Sequence, residues 1–116
     1  NEMNVVEHVR KMGARLKWHF DSMAQRYPMI GDVRGAGLML GIELVADRAT
    51  RTPFDPALQV GLTFDQIAYE HGLIGRCMGD TLGFSPPLIV TEKDINQIAE
   101  RCEASLKVLE GRLARQ

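Results

Sequence analysis

The chain has 116 residues, 45% of them hydrophobic and 25% charged, and its net charge is −1. That length fits one domain with a modest core, and that composition excludes disordered and fibrous classes. No Lys/Arg run marks a nucleic-acid or membrane footprint, no apolar run is long enough to span a bilayer, and no secretory pattern opens the sequence. The expectation is a cytoplasmic protein that binds neither nucleic acid nor membrane. The first residue is Asn1 and a helical pattern is already running there, which reads as a piece of a longer chain.

Val5, Val9, Met12, Leu16, Phe20, Met23 and Tyr27 recur at steps of four and three, the signature of one apolar helix face. Pro28 ends that helix at or before Tyr27. In MIGDVRGAGLMLGIELV, Ile30 to Arg34 reads as a short strand, Gly35-Ala36-Gly37 as a turn or bulge, and Leu38 to Val45 as a longer strand. The Gly-x-Gly here is not a dinucleotide fingerprint, because a second β run follows it instead of a helix. Arg34 reads as a salt-bridged turn brace or as an anion ligand, with the brace favoured; Glu43 reads as ion-paired or solvent-facing.

Ala46 to Pro53 is a polar loop. Asp55-Pro56 then resembles an N-cap with proline in the first turn, opening a helix through Leu58, Leu62, Phe64, Ile67 and Ala68 to Gly72. Gly61 weakens its first half, so a start at Thr63, with Gln66 completing a capping box, is the alternative. Next, Gly72 to Val90 carries a hairpin signature. If Gly79-Asp80 is a two-residue type II′ turn, Met78 pairs with Thr81, Cys77 with Leu82, Arg76 with Gly83 and Gly75 with Phe84. Alternation puts Cys77, Leu82 and Phe84 on the core face and Arg76 on the other, across from a residue with no side chain. For Arg76 the plain reading is a solvated strand arginine; the functional one is a cation with room to move. Thr91 then caps a last helix with Glu92 and Asp94 in its first turn, and Ile95, Ile98, Cys102, Leu106, Leu109 and Leu113 form its seam. Cys77 and Cys102 fall on different elements and are expected to be reduced thiols, Cys102 buried.

Helix, two strands, helix, two strands, helix indicates an α+β fold, a small and mostly antiparallel sheet of about four strands with helices packed on it. The residues themselves contain no self-contained catalytic set. His8, His19 and His71 lack metal-ligand spacing, no serine sits in a G-x-S-x-G elbow, and no P-loop or zinc pair appears. Lys11, Lys17, Lys93 and Lys107 fall off the apolar seams, whereas a Schiff-base lysine needs a desolvated setting.

GDVRGAGLMLGIELV, from Gly31, and GLIGRCMGDTLGFSPPLIVTEKDI, from Gly72, together resemble the C-terminal small domain of class III aminotransferases. These pyridoxal-phosphate enzymes include the omega-amino-acid:pyruvate and 4-aminobutyrate transaminases, and the likeness leans to the omega side. The resemblance covers nearly the whole chain and implies that residues 1–116 are one small domain, the C-terminal fragment of an enzyme with the fold-type I architecture. It implies that pyridoxal 5'-phosphate and its Schiff-base lysine belong to a large domain earlier in the same chain, and that the full enzyme is a homodimer. It implies that Arg76 binds the substrate carboxylate and swings aside for an amine without one, with Gly75, Met78 and Phe84 near the pocket wall. The implied reaction moves an amino group between an amine or omega-amino acid and a 2-oxo acid such as pyruvate; the segment alone, with no catalytic residue, is expected to be inactive. The alternatives are a stand-alone α+β ligand-binding or oligomerisation module, and a decarboxylase or aminomutase on the same fold.

Overall fold

Long apolar periodicity at both ends of the sequence becomes two long helices in a computed structural model, which describes residues 2–84, 86 and 90–115. Helix α1 spans Glu2–Arg26; strands β1 (Ile30–Ala36) and β2 (Met39–Leu44) follow; then come a 3-10 turn at Pro56–Leu58 and helix α2 (Val60–Glu70); strands β3 (Arg76–Met78) and β4 (Thr81–Phe84) precede helix α3 (Glu92–Ala114). The four strands form one antiparallel sheet in the order β1-β2-β4-β3, so β3 is an edge strand with β4 as its partner. The expected α+β architecture is the observed one.

Side-chain parity divides the sheet cleanly. Leu40, Ile42, Leu44, Leu82 and Phe84 point to one face and are buried. There they meet Leu16, Phe20 and Met23 of α1 and Phe64 and Ile67 of α2, and the Phe20 and Phe84 rings lie 5.6 Å apart. Helix α3 packs against both other helices and adds Ile95, Cys102, Leu106 and Leu109 to the same core. Each such side chain contributes about 1.5–3 kcal/mol on burial. The opposite face of the sheet carries no helix among the described residues and is open.

Local signals decide most boundaries. Thr91 accepts from the Asp94 N–H while the Asp94 carboxylate accepts from the Thr91 N–H, a complete capping box that holds the Asp94 carboxyl below its usual range. Gly72, at φ +80°, closes α2 with Leu73 N–H donating to Ala68 O and Gly72 N–H to Tyr69 O, a full Schellman motif. Several expectations need correcting. Strand β1 runs on to Ala36, and the turn is Gly37-Leu38, because Ala36 pairs with Met39. Asp55 caps only the short 3-10 turn, and α2 starts at Val60, neither at Pro56 nor at Thr63. Leu58 and Leu62 are exposed, since the reset between the two helical pieces rotates them off the core, and Val5 is exposed because α1 overhangs the core at its start. Of the Ser85–Ile89 block, Ser85, Pro87, Leu88 and Ile89 lie outside the described residues.

Candidate functional site

The open face is built in rows, because directly paired residues in adjacent strands point the same way. One row runs Arg34, Gly41, Gly83, Arg76 across β1, β2, β4 and β3. The next runs Asp32, Glu43, Thr81, Met78. Three strand spacings of about 4.8 Å separate the two arginine Cα positions, about 14 Å in all.

The two arginines are held differently. Arg34 Nε donates to Asp32 at 2.8 Å and Nη2 to Glu43 at 2.9 Å, so its charge is neutralised in place. The hydrogen bond from Arg34 holds the Asp32 carboxyl below its usual range. Arg34 is thus the brace the sequence favours, and Glu43 is the ion-paired strand residue expected. The Arg76 side chain is exposed and makes no hydrogen bond or ion pair among the described residues. A guanidinium without a carboxylate partner, on an edge strand, is free to take one from a ligand.

The β3–β4 hairpin that carries Arg76 has the expected register: Arg76 opposite Gly83, Cys77 opposite Leu82, Met78 opposite Thr81. Gly79 has φ +60° and Asp80 does not share the positive φ, the φ pattern of the II′ turn. The further Gly75–Phe84 rung is absent from the ladder, and Phe84 pairs with Leu40 on its other side. The turn is also anchored. Asp80 O accepts from Leu44 N–H at 2.8 Å, and its carboxylate accepts from Gly61 N–H at 3.0 Å in the first turn of α2. The Gln59 side chain makes no cap there, so Asp80 supplies one across the fold.

Only part of the expected pocket wall gathers around Arg76. Met78 shares its face and is 65% exposed. Phe84 does not: strand parity turns it into the core, where it is 4% exposed. Gly75 also has the core parity, since a Cβ there would lie 3.0 Å from Leu82 Cγ. It lines a separate cleft of about 340 Å³ with Asp65, Tyr69, Leu73 and Ile74. A recess of about 520 Å³ lies elsewhere, between Met29, Arg48, Phe54 and Leu113. Arg48 closes its floor by donating to the carbonyls of Ala24, Tyr27 and Ile30, which caps α1 and ties down the following loop.

The remaining polar groups are structural. His8 donates to Val90 O at 2.6 Å, and His19 and Arg15 both donate to Asn96 Oδ1. Burial pushes the Cys102 thiol far up, and burial with Asp65 and Asp80 nearby raises Cys77. Lys11, Lys17, Lys93 and Lys107 are all exposed on helices. The described residues therefore form no phosphate cradle and offer no desolvated lysine, and they do not fit a pyridoxal-phosphate site of their own. Neither Gly41 nor the capping role of Asp80 is legible in the sequence, because β2–β4 pairing and a cap donated from a remote turn are non-local, though the Gly79-Asp80 dipeptide marks the turn that does it.

Comparison with known proteins places this geometry. The family model described as aminotransferase class-III matches residues 1–106. The diaminobutyrate–2-oxoglutarate transaminase of Halomonas elongata is 38% identical over 106 residues, covering 90% of this chain and 23% of that protein. The taurine–pyruvate aminotransferase of Rhodobacter capsulatus is 37% identical over 114 residues, covering 93% of this chain and 25% of that protein. A crystal structure of an omega-transferase from Vibrio fluvialis JS17 superposes with a TM-score of 0.91 at 32% identity, covering 98% of this chain and 27% of that one. The chain belongs to the class III aminotransferase family. It spans about a quarter of the length of the relatives it matches.

Proposed function

We propose that this chain is the C-terminal substrate-binding domain of a pyridoxal-phosphate-dependent aminotransferase, in which Arg76 anchors the substrate carboxylate. One observation carries the reading: among the described residues the Arg76 side chain stands unpaired on the open face of the sheet, while its row-mate Arg34 is neutralised by two carboxylates. A planar guanidinium binds a carboxylate through two parallel hydrogen bonds, which suits a 2-oxo acid or an omega-amino acid and offers nothing to a plain amine. The names of the similar proteins, which pair amino donors with pyruvate or 2-oxoglutarate, support that substrate class. The cofactor, held by a large domain of the same polypeptide, would supply the electron sink for amino transfer. This chain's part is to bind the carboxylate, orient the substrate and close the sheet's open face over the site. In this reading the full-length enzyme is a homodimer, as the resemblance implies, and cytoplasmic, as the sequence pattern suggests.

The test is single-turnover kinetics of each half-reaction in the full-length enzyme. Hydrogen bonds to charged groups contribute about 1.5–3 kcal/mol, so Arg76→Ala should lower kcat/KM for pyruvate or an omega-amino acid by about tenfold to a few hundredfold. An amine without a carboxylate should react nearly as before. Arg76→Lys should recover part of the loss, because an ammonium cannot form the planar fork. Equal losses with both substrate types would assign Arg76 to holding the hairpin and sink the reading.

A further inference from the structure

The turn between β3 and β4 is held to the rest of the fold at two points, and Asp80 makes both. Leu44 N–H, at the end of β2, donates to its carbonyl at 2.8 Å, and Gly61 N–H, in the first turn of α2, donates to its carboxylate Oδ1 at 3.0 Å. A helix ordinarily caps itself, with Ser, Thr, Asp or Asn at its own N-cap position. Here the N-cap is Gln59, whose side chain makes no cap, and the hairpin turn supplies one instead. Gly61 is buried, so without Asp80 its N–H would lose its partner away from water. Gly61 also omits a Cβ that would overlap the Gly79 carbonyl, so the turn rests directly on the helix start. A missing side chain on the helix and a carboxylate on the turn serve one contact.

That contact bears on the strand before the turn. Strand β3 has three residues, begins at Arg76 and is an edge strand paired to β4 alone. The Arg76 side chain has no partner among the described residues, and Gly83 opposite it has no side chain to brace it. The backbone of the hairpin therefore sets the point from which the guanidinium reaches. Arg76 lies three residues before Gly79, about 10 Å along the strand, so a tilt of the turn is carried to it. Helix α2 packs on the core side of the sheet, so the Asp80–Gly61 contact is made away from the open face and touches no ligand there.

We propose that Asp80 is a positioning residue: by clamping the hairpin turn to the start of α2, it places Arg76 to receive the substrate carboxylate. The inference rests on Arg76 as the carboxylate anchor and gives Asp80 no substrate contact of its own.

The experiment uses the full-length holoenzyme with Asp80→Ala, Asp80→Asn, Arg76→Ala and the Arg76→Ala/Asp80→Ala pair. Single-turnover kinetics are measured on pyruvate and on an amine without a carboxylate, below each variant's thermal midpoint. A misplacement of about 1 Å can cost about a hundredfold in rate. Asp80→Ala should lower kcat/KM for pyruvate by about three- to thirtyfold and leave the amine half-reaction within about twofold. Asp80→Asn keeps a short side chain with an acceptor oxygen and should recover most of the loss. In the double variant, the Asp80 change should add nothing to the pyruvate loss from Arg76→Ala, because it acts through that arginine. If Asp80→Ala fails to fold, Gly61→Ala carries the same prediction, since its Cβ pushes the turn off the helix from the other side. Equal losses on both substrates, additive with Arg76→Ala, would make Asp80 a stability residue and overturn the proposal. No loss on either substrate would overturn it too. Where Arg76→Ala discriminates by carboxylate and Asp80→Ala does not, this proposal alone falls. Where Arg76→Ala does not discriminate, the anchor reading fails and takes this one with it.

Discussion

Arg34 and Arg76 carry the same side chain on the same row of the same sheet face, and their neighbours give them opposite parts. Asp32 and Glu43 bracket Arg34, and both pairs are exposed to solvent, so their contribution to stability is small. Arg76 faces Gly83 and has no such bracket among the described residues. The two cysteines make a parallel contrast. Cys102 is fully buried, while Cys77 is half-buried beside the turn, its thiol raised by burial and by Asp65 and Asp80. Iodoacetamide should therefore label Cys77 in the native chain, faster as the pH rises toward and past the ordinary thiol range, and reach Cys102 only after denaturation. Mass mapping of the labelled chain reads this directly, and equal labelling rates at the two sites would show that α3 opens in the native state. Arg34's brace and Arg76's room were legible in the sequence because both depend on neighbours within one hairpin. Gly41 was not, because its partner Gly83 lies in a different hairpin, and nothing local specifies how two hairpins pair.

Each hairpin meets a helix at a pair of glycines. A Cβ on Gly13 of α1 would overlap the carbonyl of Gly37 in the first turn, and a Cβ on Gly61 of α2 would overlap the carbonyl of Gly79 in the second. Gly61 reads in the sequence as a weak point of its helix, and that reading misses why it is there: the turn bearing Asp80 must come close enough to cap α2. The same non-local cap explains why the start of α2 was misplaced while α3, whose capping box is local, began where expected. Gly61→Ala pits a helix-propensity gain of about 1 kcal/mol against overpacking of about 1–3 kcal/mol, and overpacking should win because the obstacle is backbone. Gly111→Ala in α3, where the nearest neighbour of a Cβ is Arg115 Nη2 at 3.9 Å, keeps the gain and should stabilise by about 0.5–1 kcal/mol. Denaturant midpoints of the two variants should move in opposite directions. A stabilised Gly61→Ala would mean that α2 and the hairpin are not in close contact.

At the scale of the molecule, the core closes on this chain's own residues, but its outer surface is unfinished. Met39 and Met78 on the open sheet face are 70% and 65% exposed, and Tyr69 and Ile74 beside the α2–β3 cleft are 71% and 80% exposed. Apolar groups exposed on the open face, and others in the separate α2–β3 cleft, mark surfaces suited to interaction. In the full-length enzyme proposed above, the large domain is the occupant we propose for the open face. Two consequences follow for the 116-residue chain on its own. It should unfold cooperatively, since helices and sheet share one core, yet associate as concentration rises, and sedimentation across a dilution series measures that. It should also show no amino-transfer activity, because its lysines are exposed and nothing among the described residues cradles a phosphate. Pyridoxal phosphate added and then reduced with borohydride should leave scattered, substoichiometric labels over Lys11, Lys17, Lys93 and Lys107. A single stoichiometric adduct accompanied by turnover would show that this chain holds the cofactor itself, and the division of labour between two domains would have to be abandoned.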